Sequence, residues 1–357
     1  MRTRFFYMIL CATYLFASCV KDKPNPDVKP FPSNLSQGVV VLNEGSYGNN
    51  NADISYIDLK TQEVSNSLFK MVNGHSLGDV AQHIALVNGR YYVCINNSNK
   101  IVVLDTSDFS EVQTITTIDY PRYMVQYSQD IAFVSSLYRA YVSVLQLSTN
   151  TIIDTISTEH FNTEQMLIAT NSLWICIWDT ACNYIQKVDA VSHQPIEKIS
   201  IPGFAPHDIV EDKNGMIWVL SGNKYKGKNS FLTCIHPQTN EILHSFSFSA
   251  TADPIKLGTN PSRDTIYFIN VNYTGNATDN GLYKMGLSES ALPLNPFIKA
   301  PANTYFWAWA MDPNTGHIFL SDPKGFTQSS TIYEYTNSGQ ALHVFQTGIG
   351  SNQFIFR

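Results

Sequence analysis

The chain has 357 residues, 44% of them hydrophobic and 15% charged, with a net charge of −6 at neutral pH. So mild an acidic surplus, without any basic cluster suited to phosphates, argues against nucleic acid as a partner. Six cysteines scattered over this length exclude a disulfide scaffold and a zinc cluster.

Residues 1–18, MRTRFFYMILCATYLFAS, begin with Arg2 and Arg4, run apolar from Phe5 to Phe16 and close on Ala17 and Ser18. This is the pattern of an export signal. Its apolar run falls short of the roughly 20 residues that a spanning helix needs, and no later stretch comes near, so no transmembrane helix is expected in the mature chain. Loss of the signal takes the net charge to −8, because Arg2 and Arg4 are its only charges. Small residues followed at once by Cys19 resemble the lipobox of bacterial lipoproteins. The resemblance implies that Cys19 carries the lipid anchor, each buried methylene contributing about 0.8 kcal/mol to membrane binding. The proline-rich stretch that follows, within residues 19–37, reads as a stiff, extended tether.

From residue 38 onward one unit recurs. The strand that contains ISYID, from Ile54, is repeated as IVVLD from Ile101, VSVLQ from Val142, IQKVD from Ile185, LTCIH from Leu232, LYKMG from Leu282 and IYEYT from Ile332. These copies lie 41 to 50 residues apart, the period of four-stranded propeller blades. A more apolar strand precedes each copy, as expected where neighbouring blades cover both faces. Before that comes a third strand ending in turn residues, in six of the seven units. The seventh is missing before Gly38, and SNQFIFR at the C-terminus is the candidate to replace it. The expected fold is therefore all-β, a seven-bladed propeller over residues 38–357, closed by a C-terminal strand that completes the N-terminal blade and removes two open edges. Cys94 and Cys234 read as small core residues. Cys176 and Cys182 flank one hairpin loop and could pair in an oxidising compartment.

In such a ring the segments that lead into the innermost strands and the loops that follow the second strands meet at one end, where ligands are expected. The first set supplies Gln82, Arg122, Gln165, His207, Trp307, Trp309 and Asn352 as candidate ligand-binding residues, with His83, Tyr123, Glu164, Asp208, Lys256 and Gln353 beside them. The second supplies Tyr47, Asn49, Asn50, Asn96, Tyr138, Trp178, Tyr225, Tyr273 and Phe326. They predict an aromatic and carboxamide rim with few charges, suited to a large, partly apolar ligand rich in amides or hydroxyls. No catalytic constellation, metal-ligand spacing or cofactor motif stands out, and Glu44 reads as a loop organiser.

The repeats resemble the YncE-like, surface-layer group of bacterial propellers. The stretch LNEGSYGNNNADISYID, from Leu42, joined to the lipoprotein start, is similar to the BtuG family, vitamin B12-binding surface lipoproteins of Bacteroidetes. That resemblance implies a non-enzymatic protein, lipid-anchored at the outer membrane and facing the exterior. It implies capture of cobalamin and related corrinoids and their delivery to a BtuB-type TonB-dependent transporter. A surface glycan-binding propeller, a scaffold of a transport complex without a small ligand and a lactonase-like enzyme are the competing expectations.

Overall fold

Val39 and Val41 point to one face of the strand Gly38–Asn43, Val40 and Leu42 to the other, and all four are fully buried. Strands that are apolar on both faces need a neighbour on each side, and radial stacking of sheets supplies it. A computed structural model describes Pro32, Leu35, residues 37–272 and residues 278–357. The export signal, Cys19, most of the tether and Tyr273 lie outside the described residues.

Seven four-stranded antiparallel sheets form the blades. Blade 1 runs from its innermost strand Ser351–Phe356 through Gly38–Asn43 and Asp53–Asp58 to Val64–Ser65, so the C-terminus completes the N-terminal sheet. Blades 2 to 7 begin with the innermost strands Ala81–Val87, Pro121–Gln126, Thr163–Ala169, Pro206–Glu211, Asp253–Thr259 and Ala308–Met311. The core is divided among seven apolar clusters, one at each blade interface. Val40 and Leu42 join blade 2, while Val39 and Val41 pack on Phe319 and Phe345 of blade 7. Cys176 faces blade 5 and Cys182 faces blade 3, and both thiols are free, so the hairpin that separates them forms no disulfide. Among the described residues no helix is long and apolar enough to cross a membrane.

Two regularities shape the central channel. The first is a turn in the left-handed region immediately before five innermost strands, at Val80, Tyr120, Asn162, Ala205 and Gly350. At all five, the carbonyl accepts from the backbone N–H just beyond or at the end of the second strand: Asn96, Leu137, Trp178, Gly222 and Glu44 respectively. The second is a β-bulge near the start of the innermost strand in six blades, which skips Gln82, Arg122 with Tyr123, Glu164 with Gln165, His207, Lys256 with Leu257, and Asn352. A bulged residue is released from the ladder and re-aimed. Inner-edge N–H groups are satisfied across blade boundaries: Ile84 donates to Gln353 Oε1 at 2.9 Å, Met124 to His83 Nδ1 at 3.3 Å, Ile209 to Gln165 Oε1 at 3.4 Å and Leu257 to Asp208 Oδ2 at 3.3 Å.

Candidate functional site

The bulged residues and the loops after the second strands enclose a cavity of about 630 Å³ at one end of the channel. Its rim is aromatic. Tyr47 and Tyr225 stand 79% and 91% exposed, and Trp178 is anchored by its Nε1 donating to the Gly222 carbonyl at 3.3 Å. Trp307 and Phe326 meet edge to face with centroids 5.2 Å apart.

The floor, by contrast, is charged. Arg122 donates to Glu164 through Nε to Oε1 and Nη2 to Oε2, both at 3.0 Å, and through Nη1 to Gln82 Oε1 at 2.6 Å; Glu164 is only 3% exposed. Gln82 in turn donates to the Tyr123 hydroxyl at 3.2 Å. His207 Nδ1 lies 3.1 Å from Asp208 Oδ2. Burial works against charge on this imidazole, but the carboxylates of Asp208, Glu164 and Asp253 together outweigh it and raise His207 above its ordinary value. Burial likewise opposes charge on Asp208, yet His207 holds it below the usual carboxylate range. Burial, aided by the Lys256 charge, takes the neighbouring His83 down to about 4, which keeps it the neutral acceptor that Met124 requires. Such a floor corrects the expectation of few charges. Most of its polar capacity is spent internally, as buried polar networks require.

Glu44 closes the floor from blade 1. Trp307 Nε1 donates to its Oε1 at 3.0 Å and Asn352 Nδ2 to its Oε2 at 3.2 Å. Burial pushes its carboxyl up from 4.5 to about 7, against the pull of Lys256, Arg122 and these two hydrogen bonds. A raised acid pKa means that the folded chain holds the proton more tightly than the unfolded one. The resulting stabilisation is full below pH 4.5 and is lost as the pH climbs to about 7, a span of roughly 3 kcal/mol. Glu44→Gln retains an acceptor for Trp307 and should flatten this decline. Urea midpoints from pH 4.5 to 8 are expected to fall less in the variant than in the parent; parallel curves would show that Glu44 does not carry the effect.

Of the candidate binding residues, Tyr47, Gln82, Arg122, Trp178, His207, Tyr225, Trp307 and Phe326 line this cavity. Others do not. Trp309, Gln165 and Asn352 line a separate cavity of about 450 Å³ further along the channel. Asn96 is buried and ties blade 2 to the Tyr120 carbonyl of blade 3 at 3.0 Å. Tyr138 packs edge-on against Tyr120, outside the cavity. Asn49 and Asn50 stay on the exposed surface of the first-blade loop, whose shape is set from within: Ser46 N–H donates to Asn51 Oδ1 at 2.8 Å and Gly48 N–H to Asp79 Oδ2 at 2.9 Å. The asparagine run thus holds Tyr47 in place instead of lining the mouth. Glu164, Asp208, Lys256, Asp253 and Tyr123 also line the cavity. The signal for most of them was their place at the start of an innermost strand, but a bulge leaves no mark in hydrophobic periodicity. Among the described residues no three His, Cys, Asp or Glu side chains are grouped to hold a metal ion.

The two tryptophans thereby separate. Trp309 Nε1 donates to the Lys256 carbonyl at 2.7 Å and its ring leans on Tyr267, centroids 5.0 Å apart, so Trp309→Ala is expected to cost about 3 kcal/mol in stability. Trp307→Ala should leave the melting temperature closer to that of the parent and weaken ligand binding more. Equal losses of stability in the two variants, by chemical denaturation, would contradict this division.

Comparison with known proteins places the architecture. A quinonprotein alcohol dehydrogenase-like protein from Bacteroides thetaiotaomicron is similar in fold, at TM-score 0.71 and 15% identity over 90% of this chain and 79% of that one. The periplasmic gluconolactonase of Pseudomonas aeruginosa matches at TM-score 0.66 and 11% identity, over 90% and 98% of the two chains. A functionally unknown protein from Desulfotomaculum acetoxidans matches at TM-score 0.62 and 14% identity, over 90% and 99%. At such identities the likeness is one of fold alone. No curated protein matches the sequence. A family model does match, over residues 37–350, which takes in nearly the whole propeller. The chain therefore belongs to the family described as a domain of unknown function, DUF5074.

Proposed function

We propose that this propeller is a non-enzymatic capture protein whose aromatic mouth takes a cobalamin-class corrinoid. One observation carries the reading: Tyr47, Trp178, Tyr225, Trp307 and Phe326, from four different blades, rim a single cavity above a floor whose charged groups are largely committed to one another. Such a rim binds through broad ring faces, at low entropic cost because the walls are preformed. A corrinoid is a wide, nearly flat macrocycle fringed with amides, and it would cap a mouth of this size. The first-blade sequence LNEGSYGNNNADISYID supports the same choice.

In this reading Cys19 anchors the chain to the outer membrane, on its exterior face. Residues 20–37, if extended, would let the propeller stand off by roughly 50 Å and pass its ligand to a TonB-dependent transporter of the BtuB type. Calorimetric titration of the propeller with cyanocobalamin should give a saturable 1:1 heat. No heat at micromolar protein would overturn the reading.

A further inference from the structure

Lys256 differs from its charged neighbours. Its ammonium makes neither a hydrogen bond nor an ion pair among the described residues, although it borders both cavities at the waist of the channel. Glu44, Asp208 and Glu164 face it electrostatically, yet each is already bonded: Glu44 to Trp307 and Asn352, Asp208 to His207 and the Leu257 N–H, Glu164 to Arg122. Arg122 adds a second positive charge towards it.

The backbone that presents this lysine is unusual as well. Its φ is +56°, in the left-handed region that a residue with a side chain seldom occupies. The conformation is held by the bulge between Ile255 and Gly258 and by Trp309 Nε1 donating to the Lys256 carbonyl at 2.7 Å. Gly258 makes room for that indole, since a Cβ there would come within 2.5 Å of it. The fold thus locks a strained residue so that one cation with no direct hydrogen-bond or ion-pair partner among the described residues projects into the channel, with its Nζ 5.9 Å from the centroid of the Trp307 ring. A half-buried charge without a hydrogen-bond partner is costly, and an oxyanion would supply that partner.

We propose that the mouth seats an oxyanion of its ligand, a phosphate ester or a carboxylate, on the Lys256 ammonium beside the Trp307 ring. Trp307, Phe326 and Trp178 flank the approach, so the anion is one attached to an apolar or aromatic body. The proposal deepens the capture reading and rests on it only for the ligand's identity: cobalamin offers a phosphodiester, whereas cobinamide lacks it.

The test compares the parent with Lys256→Met, and with Lys256→Gln should the first variant fold poorly. The parent is expected to bind cyanocobalamin about tenfold or more tighter than dicyanocobinamide, and either variant should abolish that preference. Equal binding of the two corrinoids by the parent, or equal weakening of both in the variant, would overturn the proposal. A second arm needs no corrinoid. Phenyl phosphate, benzoate and phenol are compared for their effect on the melting temperature. A rise with phenyl phosphate or benzoate, but not phenol, in the parent and not in the variant supports the seat and tells which oxyanion it prefers. No difference between parent and variant overturns it. Absence of corrinoid binding with this second effect intact would remove the capture reading while leaving the anion seat standing.

Discussion

Deletion of Ser351–Arg357 is expected to abolish cooperative thermal unfolding, or to lower the melting temperature so far that little folded protein remains at 37 °C. The deleted strand pairs with Gly38–Asn43 from Val39 opposite Phe356 to Asn43 opposite Ser351, and its loss would open the ring at two sheet edges. Phe354 and Phe356 leave with it, both packed on the fully buried Phe319. Removing one large core aromatic typically costs about 3–5 kcal/mol. The seam also holds a buried polar cluster, in which Ser351 Oγ donates to Asn43 Oδ1 at 2.6 Å and Asn352 donates to Glu44 and to the backbone of blade 2. The sum approaches the roughly 5–15 kcal/mol of net stability that a folded domain possesses. A truncated chain that melted cooperatively at the parental temperature would show that the ring does not depend on this closure.

Glu164→Gln should be the most destabilising conservative change on the channel floor. It keeps the shape of the side chain but leaves the Arg122 guanidinium buried without its carboxylate, and breaking one half of a buried pair typically costs about 3–5 kcal/mol. The Gln82 carbonyl oxygen remains as an acceptor for Arg122 but carries no charge to offset it. The double variant Arg122→Met with Glu164→Gln removes both charges and is expected to recover much of the loss, because the desolvation of the guanidinium disappears along with its partner. Urea denaturation of the parent, both single variants and the double variant closes the cycle. A double variant no more stable than Glu164→Gln would mean that the cost lies in packing and not in the stranded charge.

The fold was legible in the sequence because a propeller repeats one local decision seven times. Alternation at Val39 to Leu42, a turn, and the weaker alternation of Ile54 to Ile57 recur at each blade, and the missing first strand pointed to the C-terminus that supplies it. The aromatic rim was legible in part, since Tyr47, Trp178, Tyr225 and Phe326 follow the second strands of their blades and the topology sends all such loops to one end. The charged floor was not. The sequence places Glu164 and Lys256 in the segments that lead into the innermost strands but predicts few charges there, and it is the bulges at Thr163/Met166 and Ile255/Gly258 that turn them inward together. Register decides the fate of the tryptophans too: Trp307 precedes the ladder and reaches Glu44, while Trp309, paired with Leu320, reaches back to blade 6. The short helix Leu68–Asn73 had no clear periodic signal, being fixed by tertiary contacts. Asp53 accepts from the Phe69 N–H at 3.0 Å, and Leu68 and Phe69 plug the interface of blades 1 and 2.

The most direct measurement is a crystal structure of the propeller grown with saturating cyanocobalamin. A single corrinoid is expected to cap the mouth, in contact with Tyr47, Trp178 and Trp307. Corrinoid density at the other cavity, against Trp309 and Met311, or a mouth without density at saturation, would contradict it.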